Sequence, residues 1–344
     1  MNPQQTYESM TRLIDRVQVI GSPLQMLIAA MALILIACVL LPLSTVWRSR
    51  ALWAMASILV FGEGILVWFH FRLWQLAAVV DPATGLLTGH VAAPVWIESE
   101  KLYVWALVTA LMGALMRRHR EELLPSVMIA VALLAGSGAL VGQPFTNPLP
   151  GFVEQYTGYL QALSMGGQSA QGAFEGMEAA RQFYYNAWFM WVHPPLLFFG
   201  YGAFTLSFMA TLQMIRRRHS AYETTAYRWV RLGYLPLTFG MLIGFPWALA
   251  AWSGDAWWWS GKVNMSIMMW LLYTALLHAR LYLRQHRMWK MVAALGVLSF
   301  AILILTYLTT YIVPGAHSYA LSTDVRMLAE TARTTSRILM GGGA

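Results

Sequence analysis

The chain contains one cysteine, Cys38, in 344 residues. A single thiol excludes an internal disulfide, a CxxC redox pair, a four-cysteine iron–sulfur site and covalent haem attachment through CxxCH within this sequence. Charge is also scarce: Asp, Glu, Lys and Arg make up 11% of the residues, against 58% hydrophobic, and mean hydropathy is +0.54. A water-soluble domain of this length would carry more charge, so its main solvent is lipid. The opening stretch "MNPQQTYESMTRLIDRVQVIGSP" lacks the basic-then-apolar layout of a cleavable leader, and the first apolar run is expected to stay as an anchor. There is no internal repeat and no linker, so residues 1–344 are expected to form a single membrane domain.

What is abundant is apolar length. Runs of near-spanning length recur between short basic breaks, and eight transmembrane helices are expected at roughly 24–46, 51–71, 101–116, 125–142, 196–215, 229–251, 265–283 and 291–313. The fold class is all-α, a polytopic helical bundle. The basic clusters around Arg48, Arg117, Arg216, Arg228 and Arg284 fall on one side, which the positive-inside bias makes cytoplasmic. Both termini and the loops 72–100, 143–195 and 252–264 then face outward, with 321–344 as an outer tail. The basic excess of 23 Lys and Arg over 15 Asp and Glu orients the chain and does not call for nucleic acid.

"WFMWVHPPLLFFGYGAF" at 188–204 places a histidine and two prolines in an apolar run. Counting forward from Pro195 already gives a full span, which puts the prolines in the first helical turn and His193 just above it, at the outer interface. The last span ends at "TTYIVPGAHSYA", where Pro314 and Gly315 stop the helix and leave His317 at the same depth. Between them runs "WALAAWSGDAWWWSGKVNMSIMMW" with Trp247, Trp252, Trp257, Trp258, Trp259 and Trp270. Isolated interfacial tryptophans belong to aromatic belts, and isolated interfacial histidines to hydrogen bonds with headgroups. Three consecutive indoles flanked by two imidazoles fit a planar ligand with an axial nitrogen on each face, an iron porphyrin.

These segments resemble the haem-handling superfamily of CcmF- and CcsA-type cytochrome c assembly proteins. "HPPLLFFGYGAF" is similar to its HPPLLY-GY-GF stretch, "GAHSYA" to its H-S-Y stretch, "PVWIESEKLYVWAL" to its W…EGSLLLW segment, "PFTNPLP" to its NPF element and Tyr185-Asn186 to its LN pair. The resemblance runs from about residue 94 to 320 in the same order. It implies that His193 and His317 ligate haem b, non-covalently, under a Trp-rich "WWD" segment. Here Trp257, Trp259 and Asn264 keep register, while Ser260, Gly261 and Val263 stand where the family carries Asp, Pro and Glu. The family pattern also places His278, in "LLYTALLHARL", at an intramembrane histidine that ligates a second haem with a residue this chain lacks; packing is the other reading of His278. The cofactor-binding set is thus His193, His317, Trp252, Trp257, Trp258, Trp259, Asn264, Trp270 and His278.

Other polar groups carry weaker expectations. Glu63, mid-span in "VFGEGILVW", is read as a neutral hydrogen-bonded carboxyl, with a proton or quinone role as the alternative. Glu98 and Glu100 are expected to cap the third span at its positive end. Lys101, Asp255 and Lys262 are interface residues that solvation explains, or that could face haem propionates or a docking partner. His70 is the other histidine inside an expected span, toward the outer face.

The expected function is to hold haem at the outer face of a bacterial-type inner membrane and present it to an apocytochrome, as a component of a cytochrome c haem lyase. No residue is marked as general acid, base or nucleophile. The alternative is a haem-binding or structural subunit of a membrane electron-transfer complex. Expected partners are other membrane subunits, an apocytochrome or c-type cytochrome, and lipid, with no nucleic acid.

Overall fold

A computed structural model describes residues 2–116, 120–219, 221–251, 260–286 and 289–312. Contacts divide the chain into two units, Met1–Ala251 and Trp252–Ala344.

The first unit opens with α1 (Pro3–Leu40). Asn2 caps it by accepting from the amides of Gln4 and Gln5, and Pro3 occupies the first turn, where no N–H is needed. The chain leaves the helix at Leu41 and re-enters one, α2 (Thr45–Leu76), so the expected first span ends six residues early and the second starts six residues early. Arg48 explains the break. Its guanidinium donates to the carbonyls of Cys38, Val39 and Leu41, the end groups of α1 that lack an intrahelical partner.

The expected loops are largely folded. In 72–100, β1 (Ala78–Val80) pairs antiparallel with β2 (Leu87–His90). Asp81 closes their turn by accepting from the Ala83 amide and the Thr84 hydroxyl. A 3-10 turn, Glu98–Glu100, feeds α3 (Lys101–Leu115). Next come α4 (Arg120–Ser137) and a π turn at Gly138–Gly142. The segment 143–195 holds α5 (Pro150–Met165), α6 (Gly167–Ala180), a π turn at Arg181–Tyr185 and the first turns of α7 (Trp188–Arg217). The unit closes with α8 (Ala221–Ala251).

Residues of α3 are buried around most of its circumference, consistent with a sequence apolar on all sides. It packs on α2, α4 and α7, and the buried Trp105 donates from its indole to the Thr205 hydroxyl at 3.2 Å. Helices α7 and α8 form an antiparallel pair. They approach most closely where small residues meet: a Cβ on Gly233 would stand 2.9 Å from both the Gly200 carbonyl oxygen and the Ala203 Cβ.

The second unit is a helical hairpin of α9 (Gly261–His286) and α10 (Trp289–Ile312). Ser260 starts α9 as its N-cap, with its hydroxyl accepting from the Val263 amide at 3.4 Å. Lys262 ties the hairpin together by donating from Nζ to the Thr306 carbonyl at 2.8 Å. Among the described residues, six helical segments are long and apolar enough to cross a membrane: α1, α2, α4 with its π turn, α7, α8 and α10. The expected third and seventh spans are present as α3 and α9, outside that set.

Candidate functional site

His193 lies inside α7, five residues after its first residue, and not above the helix start as the proline count had placed it. The helix begins at Trp188, so Pro194 and Pro195 are interior. An interior proline leaves the carbonyl four residues back without its amide donor. For Pro194 that carbonyl belongs to Met190, and the Trp96 indole fills the gap by donating to it at 2.6 Å. The ring of Trp96 also meets Trp191 edge-on, with centroids 5.6 Å apart. The helix therefore continues through the prolines because a residue from the 91–97 segment replaces the missing donor.

His193 faces α8. Its Nδ1 is 2.6 Å from the Gly240 carbonyl. A carbonyl only accepts, so a hydrogen sits on Nδ1. The imidazole occupies a notch that exists because α8 has glycine there: a Cβ on Gly244 would stand 2.7 Å from Cε1 and 2.8 Å from Nδ1. Trp247, one turn further along α8, lies beside it with ring centroids 6.3 Å apart. That indole is itself fixed, donating to the Phe183 carbonyl at 2.6 Å and meeting Tyr184 edge-on. Trp247 is thus a buried α8 residue that walls His193, not part of the outward loop. Spacing could have found the notch, since Gly240, Gly244 and Trp247 fall on one face of a helix.

The expected neighbours divide. Asn264 is exposed in the first turn of α9, and Trp270 is half-buried on the same helix. His278, two turns beyond Trp270, is exposed and directs Nδ1 to the Thr274 carbonyl of its own helix at 2.8 Å. His317, Trp252, Trp257, Trp258 and Trp259 lie outside the described residues. Ser260, aligned with the family aspartate, serves as a helix cap instead. Asn186 bridges two strands of chain, accepting from the Ala92 amide and donating to the His90 carbonyl, each at 2.8 Å. Those contacts hold the segment that delivers Trp96.

A second polar centre was not assembled by sequence reasoning. His70 on α2 is buried, with Nδ1 2.7 Å from the Ala93 carbonyl and Nε2 2.7 Å from Glu100 Oε1. Glu100 therefore pairs with His70 and does not cap α3. Glu98 also serves elsewhere: its carboxylate accepts from the amides of Gly151 and Phe152 at 2.7 and 3.1 Å, at the N-terminus of α5. Burial raises the Glu98 pKa above the usual carboxylate value, opposed by those two amides and by Lys101. The reach between these groups is thirty residues and more in sequence, beyond any local pattern.

The apolar helices and the polar centres held between them define a multi-pass helical membrane protein. Residues 95–317 match the family described as cytochrome C assembly protein, and the chain belongs to that family. Relatives include a probable cytochrome c-type biogenesis protein NrfE from Escherichia coli, 25% identical over 78% of this chain and 48% of that protein. Another is the cytochrome c-type biogenesis protein CcmF of Pseudomonas aeruginosa, 23% identical over 84% of this chain and 46% of that one. A shorter match reaches the cytochrome c biogenesis protein CcsA of Prochlorococcus marinus, 35% identical over 28% of this chain and 30% of that protein. The chain thus spans about half the length of the first two relatives. No solved structure matches it.

Proposed function

We propose that the protein handles haem in cytochrome c biogenesis, binding haem b non-covalently at the periplasmic face of a bacterial-type inner membrane and presenting it to an apocytochrome. The observation that carries this reading is the His193 tautomer. A histidine that ligates a metal through one nitrogen commonly gives its other N–H to a carbonyl or carboxylate, which fixes the ring and makes the ligating nitrogen more basic. His193 has that arrangement, with Gly240 as the acceptor. With the family resemblance, this makes His193 and His317 the residues that would hold the haem iron. The tryptophans of the segment 252–259, with Asn264 and Trp270, belong to the same cofactor-binding set. His278 is proposed to ligate a second haem together with a residue from another subunit, since its Nδ1 is likewise held by a carbonyl.

Bound haem supplies its own chemistry, vinyl groups that add the thiols of a CxxCH segment. The chain's residues contribute orientation. Gly244 admits the imidazole, the Gly240 carbonyl holds its Nδ1 hydrogen, Trp247 lies beside it, and Trp96 keeps α7 intact on its way past. No acid, base or nucleophile is assigned, and a haem lyase component is the enzyme class this reading favours. Partner membrane subunits and an apocytochrome or c-type cytochrome complete the proposal.

One observation favours a second reading. Ser260 and Val263 stand where the family carries two carboxylates, and Ser260 caps a helix. A protein that keeps haem as a subunit of a membrane electron-transfer complex needs no such carboxylates. The two readings separate on haem release. Haem-loaded protein incubated under reducing conditions with an apocytochrome bearing CxxCH should lose its haem absorbance as covalent cytochrome forms. Full retention of haem by a folded protein, with redox cycling, would favour the electron-transfer subunit.

A further inference from the structure

We propose that Glu63, His70 and Glu100 form a proton-binding site inside the helical bundle, one that holds a single exchangeable proton beyond the one that charges His70. Two of the three groups are shut away from solvent: His70 is 5% exposed and Glu100 0%. Their contact, 2.7 Å between Nε2 and Oε1, forces a proton between them. The Ala93 carbonyl claims a hydrogen on Nδ1. Nε2 therefore either donates to a carboxylate as part of an imidazolium, or accepts from a protonated carboxyl.

The unused acceptors are what make this more than a buried pair. Glu100 Oε2 and Glu63 Oε2 are both buried and have no hydrogen-bond partner among the described residues. Glu63 lies two helical turns before His70 on α2, on the same face, and interacts electrostatically with both His70 and Glu100. With both carboxylates ionised and His70 charged, the cluster would carry one net negative charge out of water. A net buried charge is costly, and one more proton removes it. The remaining titratable groups do not supply that neutralisation. Tyr103 from α3 interacts with Glu63 and Glu100, but its hydroxyl donates to the Leu59 carbonyl. Glu98 adds negative charge, and Lys101 faces Glu98.

The ligand is a proton, and its uptake is simple: one carboxylate oxygen gains it, with no bond broken and nothing oxidised. Glu98 lies near the cluster and is hydrogen-bonded to the start of α5. The site lets the bundle gain or release one unit of charge next to the 91–97 segment, which carries both Ala93 and Trp96. Its residues lie on α2 and at the start of α3, whereas His193 lies on α7, so the proposal does not rest on haem.

Infrared spectroscopy of the purified full-length protein in H2O and D2O tests this directly. The expected wild-type spectrum has one buried protonated-carboxyl band, isotope-sensitive, converting to carboxylate as pH rises. Charge balance predicts that Glu63→Gln and Glu100→Gln each abolish it, because either leaves one carboxylate to match one imidazolium. Glu63→Asp should restore a titrating band at a shifted frequency. His70→Gln should show two protonated carboxyls where the wild type has one. A folded wild type without such a band, or a band unchanged in both glutamine variants, would overturn the proposal. Both glutamines are isosteric, so the test survives if His70→Gln fails to fold.

Discussion

His70 and His193 are each held by a backbone carbonyl, yet their surroundings differ. His70 has both ring nitrogens committed, one to Ala93 and one to Glu100, and it is almost fully buried. His193 gives Nδ1 to Gly240 from a notch cut by glycine and walled by Trp247. The first arrangement is a buried pair of ionisable groups; the second is the one proposed to hold haem. The backbone holds Nδ1 in both rings; what sets His70 apart is Glu100, which takes its Nε2.

This contrast predicts opposite losses. His70→Ala takes the partner from the buried Glu100, and breaking a buried pair costs about 3–5 kcal/mol. Its thermal midpoint in detergent should fall sharply, while any haem the folded fraction binds keeps the wild-type absorption spectrum. Gly244→Val reverses the pattern by driving a side chain into the His193 ring. Overpacking of this kind costs about 1–3 kcal/mol, and haem per protein, read as pyridine haemochrome, should fall far more than stability does. A variant that kept full haem with Val at 244 would break the comparison.

Trp96→Phe lies between the two. It leaves the Met190 carbonyl without the donor that replaces the Pro194 amide, at a cost of about 1–3 kcal/mol for an unsatisfied buried group. Both the midpoint and haem retention should drop modestly together, because Trp96 serves the helix that carries His193. The smallest effect is expected away from both histidines. Arg181 donates two hydrogen bonds to Glu178 and lowers the pKa of that carboxyl. A depressed carboxylate pKa stabilises the fold above the ordinary carboxylate range, and that contribution fades as pH falls through it. Arg181→Gln should therefore cost less than about 1 kcal/mol near neutral pH and nothing in acid, in paired denaturation curves.

The two centres also differ in how far the sequence announces them. His193 was legible because its whole motif is contiguous, and because apolar length, chain order and the HPP run all point to it. Its position within α7 was not, since the donor that lets a helix pass two prolines is Trp96, far away in sequence. The break between α1 and α2 failed for a similar reason: it depends on Arg48 reaching back to three carbonyls. The segments 72–100 and 143–195 read as loops because their elements are short, although "DPATG" carries a recognisable turn. Glu63, His70 and Glu100 were each visible as ionisable residues in or beside lipid, but only packing of α2 against α3 brings them together. Long apolar helices reveal themselves locally, whereas polar centres between helices are tertiary facts.

The most direct test of the central assignment is the visible absorption spectrum of the purified, haem-supplied protein, compared with His193→Ala and His317→Ala. Two imidazole ligands predict a low-spin spectrum that either substitution converts or abolishes. An identical low-spin spectrum in both variants would contradict it.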